Sequence, residues 1–518
     1  MKMGKEIRMK KNSKLLLTII ISGLSFTIGY CVNFFLTRFI TENVGTDAQG
    51  YITLSKTIAT YIVIATTALN SYASRYISLE YHKKNIDKAN MYFSSVFGAN
   101  LIAGTFFLLL TIAVIPYIGT WFTIPDVLRR DVSVLFVLVF TNLFISLLST
   151  AFQASTYIKD KLYLTSIFRG ASYFVEAACL LCLYNFLPTR ILYAGIGMIA
   201  ATIINFYGFL RISKKYTPEL KIDLRKVNVE AIKELCISGI WNSFNGLGNT
   251  LNSGLDIVVS NALLGGVAMG QVSIVKSITN IFSNLYQMVA QPFQPRFLKA
   301  YANSDMGILI DDLKFSMKLS GLISNLAFAG IVGFGINYYQ LWLPNQDVNL
   351  LYRLTIIAVA TSILEGAMYP LYYIYTLTIK NKIPCIITII GGIANVLGMI
   401  VLINHTHLGI YAIFITTAIV MNIINGITNP IYMAHCLNIK ISSFYPDIAQ
   451  HLFSCGIVTA LVWFVAKHFK TCSWSNLIAG ACISVVLGSV VHILIVFKPT
   501  EILKYVKKAF AANGTKNE

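Results

Sequence analysis

Apolar runs of membrane length recur along almost the whole chain, and no other feature restricts its fold so tightly. A helix crosses the hydrocarbon core of a bilayer with about 20 mostly apolar residues. Fourteen such stretches can be placed, near 15–40, 50–74, 90–118, 132–155, 163–187, 191–210, 236–263, 270–293, 315–336, 354–378, 384–403, 408–430, 448–467 and 474–497. They are rich in Ile, Leu, Val and Phe, which insert favourably. Segments of about ten residues with alternating polarity are absent, which argues against a membrane β-barrel. The expected fold is therefore all-α and integral to the membrane, with about 14 transmembrane helices. Composition points the same way. The chain is 56% hydrophobic and 12% charged, against about 45–50% and 25% in soluble domains. That balance excludes a soluble globular protein and a disordered chain alike.

Charge supplies the orientation. Lys and Arg number 41 and Asp and Glu 22, for a net charge of +19. With the N-terminus in the cytoplasm, 31 of the 41 basic residues fall in inner segments. Six fall outside: Arg129, Arg130, Arg190, Arg353, Lys467 and Lys470. This positive-inside bias implies an even number of spans with both termini cytoplasmic. The excess charge is then topology and leaflet attraction, at about 1 kcal/mol per basic residue near an anionic surface. It calls for no nucleic-acid partner. The first apolar run is too long for a signal-peptide core and lacks a small-residue cleavage site, so the first span is expected to remain. No connecting loop exceeds roughly 25 residues, which leaves no room for an inserted catalytic or nucleotide-binding domain. No GxxxxGK[ST] occurs, so no P-loop is present.

The nine cysteines fall mostly inside spans and read as small apolar packing groups. Cys179 and Cys182 form a CxxC in mid-span, a poor setting for redox or metal chemistry. His405 and His407 share a short outer turn, too few donors to define a metal site.

An internal repeat is visible. GTDAQGYITLSKTI begins at Gly45 and GGVAMGQVSIVKSI at Gly265, an offset of 220. Gly45 meets Gly265, Gly50 meets Gly270, Lys56 meets Lys276, Ile58 meets Ile278 and Tyr81 meets Tyr301 at that offset. The repeat implies a six-helix bundle over 1–210, a basic cytoplasmic linker over 211–235 and a second six-helix bundle over 236–435. Two additional helices then occupy 446–497, and an amphipathic cytoplasmic tail occupies 498–518. Because six is even, both halves enter from the cytoplasm. They would be related by a pseudo-two-fold axis along the membrane normal, as in alternating-access transporters.

Charges inside spans are costly and normally face a cavity, a partner or an interface. Arg38, Lys56, Arg169 and Lys276 are the basic candidates for an anion-accepting cavity, since Arg and Lys are the natural binders of phosphate. Each could equally snorkel to an interface. Glu176, Asp256 and Glu365 are candidates for ion coupling or charge balance. Arg169 and Glu176 are seven residues apart, so they share a helix face without touching. Arg75 and Arg296 are candidates for the cytoplasmic mouth, and are equally well read as positive-inside flanks. Pro292, Pro295 and Pro370 permit kinks, and Gly391, Gly392 and Gly398 permit close packing. No catalytic or metal-binding grouping is expected, and no cofactor.

FLTRFITENVGTDAQGYITLSKTI in the first half and SGLDIVVSNALLGGVAMGQVSIVKSI in the second resemble the polysaccharide-transporter (Wzx-type) branch of the MOP flippase superfamily, of MATE-like fold. The family often carries an Arg at the end of span 1, a Gly-containing turn and a Gly-Tyr entry to span 2, here Arg38, Gly45, Gly50 and Tyr51. It often carries an Asp in span 7 before a short Gly turn, here Asp256, Gly265 and Gly266. The second half departs at Gln271, where an aromatic is usual. The resemblance implies a flippase, not an enzyme, in a bacterial plasma membrane. Its cargo would be an undecaprenyl-diphosphate-linked oligosaccharide for surface polysaccharide, and its partners the bilayer, a polysaccharide polymerase and glycosyltransferases. It leaves the driving force open among membrane potential, H+ and Na+. A multidrug or cation antiporter of the same superfamily would want a more acidic cavity. A flippase for a peptidoglycan or teichoic acid precursor would differ only in cargo. A membrane-embedded polysaccharide enzyme would want a large outer loop.

Overall fold

The computed structural model describes residues 2–159, 161–378, 380–469 and 473–497, and among them the regular structure is entirely helical. The expected amphipathic tail, Lys470 and Cys472 lie outside the described residues.

Two compact units divide at Ser273/Ile274. The first holds α1 (Lys2–Asn43), α2 (Thr46–Asn70), α3 (Ala73–His82), α4 (Ile86–Val114), α5 (Ile118–Trp121), α6 (Asp126–Ile158), α7 (Leu162–Phe186), α8 (Leu192–Tyr216), α9 (Val229–Ser253), α10 (Leu255–Leu264) and the first turns of α11 (Gly266–Ala290). The second holds the rest of α11, then α12 (Gln294–Ala302), α13 (Met306–Trp342), α14 (Val348–Met368), α15 (Tyr373–Leu377), α16 (Lys382–His405), α17 (Tyr411–Ile423), α18 (Asn429–Cys436), α19 (Tyr445–His468) and α20 (Trp474–Val496). A single π-helical turn, Ile424–Thr428, joins α17 to α18.

Among the described residues, twelve helical segments are long and apolar enough to cross a membrane. The two other expected spans, 236–263 and 270–293, are helical as well: α9 with α10, and α11. Their sequences are more polar, with Asn242, Asn245, Asn249 and Asn252 along α9 and Asn280, Asn284 and Gln287 along α11. A long polar helix in a membrane protein belongs beside a cavity or other helices rather than in lipid.

The repeat is written into the backbone. α2 and α11 are displaced by 220 at both ends, and α4 and α13 start 220 apart, as do α7 and α16. Gly45 (φ 126°) and Gly265 (φ 90°) each turn the chain into the following helix in a conformation that favours glycine. Lys84 (φ 63°) and Ser304 (φ 56°) are left-handed at equivalent places. The Asn85 N–H bonds back to the Glu80 carbonyl and the Asp305 N–H to the Ala300 carbonyl, both at 3.0 Å. Each of these residues then caps the next helix, Asn85 accepting from the Lys88 N–H and Asp305 from the Ile308 N–H. Satisfying the first free amides of a helix in this way contributes about 1 kcal/mol.

In the first unit α8 packs on α6 and α7, α1 on α7, α2 on α9, and α4 on α6. Its core gathers Leu69, Ile77, Tyr92, Phe93, Phe152 and Leu235. The segment expected as a basic linker begins as the end of α8 and finishes as the start of α9. The coil between is strapped to α4. Asn90 donates to the Glu219 carbonyl (3.1 Å) and accepts from the Lys221 N–H (2.8 Å). Ser94 accepts from the Asp223 N–H and Ser95 from the Asn228 N–H. In the second unit α13 packs against α14, α19 and α20, and α17 against α14 and α16. One core centres on Phe297, Leu313, Leu371 and Phe444, and another joins Phe334 of α13 to Val458 and Val462 of α19.

Candidate functional site

The first unit contains a cavity of about 510 Å³ between α1 and α7. Its wall is apolar, formed by Val32, Phe35, Leu36 and Phe39 of α1 and by Ala177, Leu180, Leu181 and Tyr184 of α7. Its polar end is Arg38, Glu42 and Asn43. The two helices are pinned elsewhere by the Ser25 hydroxyl, which donates to the Ser166 carbonyl at 2.5 Å. They also approach closely where Gly29 faces the Tyr173 ring. Phe39 and Tyr184 meet with ring centroids 4.9 Å apart. Arg38 Nε lies 3.5 Å from Glu42 Oε2, one helical turn on. The second oxygen, Oε1, is buried and accepts no hydrogen bond among the described residues. A solvated i,i+4 pair at this distance contributes about 0–1 kcal/mol to stability. Its use is chemical: a guanidinium and a carboxylate stand at the mouth of an apolar groove.

None of the other candidates is among the residues lining this cavity. Lys56 is exposed on α2, and Arg169 is exposed on α7, more than two turns from the cavity residues of that helix. Glu176 is half-buried beside Ala177 but is not among the lining residues. Asp256 is buried in the first turn of α10 and acts electrostatically on Tyr61 of α2. Arg75, on α3, stands 5.8 Å over the Tyr72 ring and is exposed. Lys276 is half-buried on α11, in the second unit. Glu365 is half-buried on α14.

Arg296 has a structural partner. Its Nη2 lies 2.6 Å from Oδ1 of Asp312, a side chain only 7% exposed. Arg296→Ala should therefore destabilise the protein by about 1–3 kcal/mol, because it strands a buried carboxylate. Thermal unfolding in detergent should show the loss, and Asp312→Asn added to Arg296→Ala should recover part of it. Equal midpoints for wild type and the single variant would restore a role at the mouth. Arg190 is likewise engaged, forking onto both oxygens of Asp131 and tying the approach to α8 onto α6.

Sequence reasoning missed Glu42, whose only signal was its i,i+4 spacing from Arg38. It also missed the asparagines of α9 and the buried histidines His451 and His492. Their signal was present, since polar groups inside apolar helices are expensive and stay for a reason.

The architecture defines a class: an all-helical, multi-pass membrane protein built on a duplicated unit. A family model described as polysaccharide biosynthesis protein matches residues 12–300, and the chain belongs to that family. The uncharacterized membrane protein EpsK of Bacillus subtilis (strain 168) is 27% identical over 475 residues, covering 88% of this chain and 90% of that protein. Among solved structures, the lipid II flippase MurJ in an inward closed conformation superposes with a TM-score of 0.70 at 12% identity, covering 92% of this chain and all of that one. An inward-facing multidrug resistance MATE family transporter of the MOP superfamily gives 0.65 at 13% identity, covering 80% and 99%. These structural likenesses establish that the chain shares the fold of these two membrane transport proteins.

Proposed function

We propose that the protein is a flippase that carries polyprenyl-diphosphate-linked oligosaccharide units across a bacterial plasma membrane by alternating access, for surface polysaccharide assembly. Family membership supports the pathway. The observation that carries the cargo class is the cavity between α1 and α7, apolar along its wall and charged at one end. That polarity profile matches an amphiphile with an anionic head and a hydrocarbon tail. Arg38 would meet the diphosphate as a fork of donors, since guanidinium geometry suits phosphate oxygens. The Glu42 carboxylate, which lines the same end of the cavity, would take a sugar hydroxyl. With both termini cytoplasmic, outward movement of an anionic head follows an inside-negative potential, at about 2.3 kcal/mol per charge per 100 mV.

Mass spectrometry of polyprenyl-linked lipids in a strain depleted of the protein tests the reading. A completed diphosphate-linked oligosaccharide should accumulate several-fold and clear on re-expression, and its mass names the cargo. Accumulation of a peptidoglycan or teichoic acid precursor instead would replace the cargo. An unchanged lipid pool with surface polysaccharide intact would overturn the flippase and bring forward the antiporter.

A further inference from the structure

Two histidines sit within apolar helices of the second unit, outside the repeated segments. His451 on α19 is 3% exposed and His492 on α20 is fully buried. Their ring nitrogens have defined roles. His451 Nε2 lies 2.9 Å from the Ile363 carbonyl, and His492 Nε2 lies 3.2 Å from the Lys318 carbonyl. A carbonyl only accepts, so each Nε2 carries a hydrogen and each neutral ring keeps its lone pair on Nδ1. His492 Nδ1 uses that lone pair, accepting from the Ser454 hydroxyl (2.9 Å) and from Asn325 Nδ2 (3.1 Å). Asn325 Nδ2 also donates to the His451 carbonyl at 3.3 Å, which fixes the amide. The reverse orientation would set Oδ1 against a carbonyl oxygen and a lone pair.

Two acceptors are then left over. Neither His451 Nδ1 nor Asn325 Oδ1 has a hydrogen-bond partner among the described residues, and both are buried. An unsatisfied buried acceptor is costly and rare. Every donor in the cluster is in use, so what it lacks is hydrogen. His451 Nδ1 faces α13 at Gly321, where a Cβ would stand 2.7 Å from it. Among the described residues the rings hydrogen-bond to carbonyls, a hydroxyl and a carboxamide, none of them a carboxylate. The surrounding titratable groups come from every packed helix. On α13, Lys314 pairs with Asp447 of α19 at 2.9 Å, and the buried Lys318 stands 5.7 Å over the Phe497 ring. Glu365 follows Ile363 by two residues on α14, Cys455 follows His451 by one turn, and Tyr286 of α11 interacts with both Glu365 and Cys455. Among the described residues no three His, Cys, Asp or Glu side chains converge as metal donors.

We propose that this cluster is a proton-binding site. One proton from water adds to His451 Nδ1, forming a new N–H and leaving the ring singly positive, and its uptake and release shift α19 and α20 against α13. The site would add an H+ coupling to the transport reading above, on which it rests, and it is tested without any transported lipid. The experiment uses the full-length protein with 15N-labelled histidine in nanodiscs, titrated over about pH 4 to 8, with the signal assigned through His451→Asn. Backbone hydrogen exchange of α19 and α20 is followed over the same range and corrected for intrinsic rates. His451 should bind one proton within the range while His492 stays neutral. Exchange in α19 and α20 should change at least threefold across that step, and the change should vanish in His451→Asn. Gly321→Ala keeps both histidines but crowds Nδ1, and should shift the proton affinity at least tenfold. That variant carries the test should His451→Asn fail to fold. A His451 that stays neutral throughout, or one that titrates with no change in helix exchange, would overturn the proposal. Failure of the flippase reading would show separately, in the lipid pool.

Discussion

Gly270→Ala will lower the thermal midpoint by several degrees, while Gly330→Ala will hold or raise it. The reason is a backbone contact inside the first unit. A Cβ on Gly270 would stand 2.0 Å from the Thr46 carbonyl oxygen and 2.6 Å from its carbon, and neither atom can rotate aside. The repeat-equivalent residue meets the same seam, since a Cβ on Gly50 would stand 2.8 Å from the Gly270 nitrogen. The starts of α2 and α11 therefore touch backbone to backbone, and Thr53 and Ser273, also 220 apart, share a hydrogen bond there. Small residues allow such approaches between helices that lipid alone would not drive together. Forcing a methyl into the seam must part the helices and break that hydrogen bond. Overpacking costs about 1–3 kcal/mol, and the lost hydrogen bond about 1 kcal/mol more. Gly330 on α13 has nothing within 4 Å of its Cβ position, so its alanine variant controls for helix propensity. Thermal unfolding of the purified variants decides the matter, and matching midpoints for Gly270→Ala and Gly330→Ala would remove the seam.

The fold was legible because the membrane leaves so few choices. Runs such as 384–403 and 474–497 can be helices and little else, and the structure places α16 and α20 over them. The repeat was legible at Gly45 and Gly265 because a left-handed turn constrains the residue type itself. The next equivalence, Lys84 with Ser304, was invisible, since the backbone there repeats while the side chains differ. The polar helices α9 and α11 look apolar enough when read for Ile and Leu, yet their asparagines set them apart from the other twelve. The site was less legible still. A charge within an apolar run announces an exception but not its partner. Arg296 and Asp312 pair across 16 positions, which no local pattern reveals. Arg38 and Lys56 look alike in sequence, yet only Arg38 lines the cavity. The histidine cluster draws on four helices, α13, α14, α19 and α20, so its logic exists only after folding.

Arg38 separates function from stability. Arg38→Ala should reduce transport about 10- to 100-fold, the equivalent of losing a charge-assisted contact of about 1.5–3 kcal/mol. Its contact with Glu42 at 3.5 Å is a partly solvated i,i+4 pair worth about 0–1 kcal/mol, so the loss of that pair should barely move the thermal midpoint. Arg38→Lys should fall between wild type and alanine, since an ammonium keeps the charge but not the fork of donors. Arg169→Ala, on the same helix as the cavity wall but exposed and away from it, should stay within about threefold of wild type, the scale of a surface contact. Glu42→Gln removes the carboxylate charge one turn from the guanidinium and should not reproduce the alanine defect. The readout is the ratio of accumulated polyprenyl-linked oligosaccharide to surface polysaccharide, at matched protein level. A defect in Arg38→Ala that Arg38→Lys partly restores, at unchanged thermal midpoint, places the anionic head at this cavity. Full transport in Arg38→Ala would move the binding site elsewhere, and the polar faces of α9 and α11 would be the next place to cut.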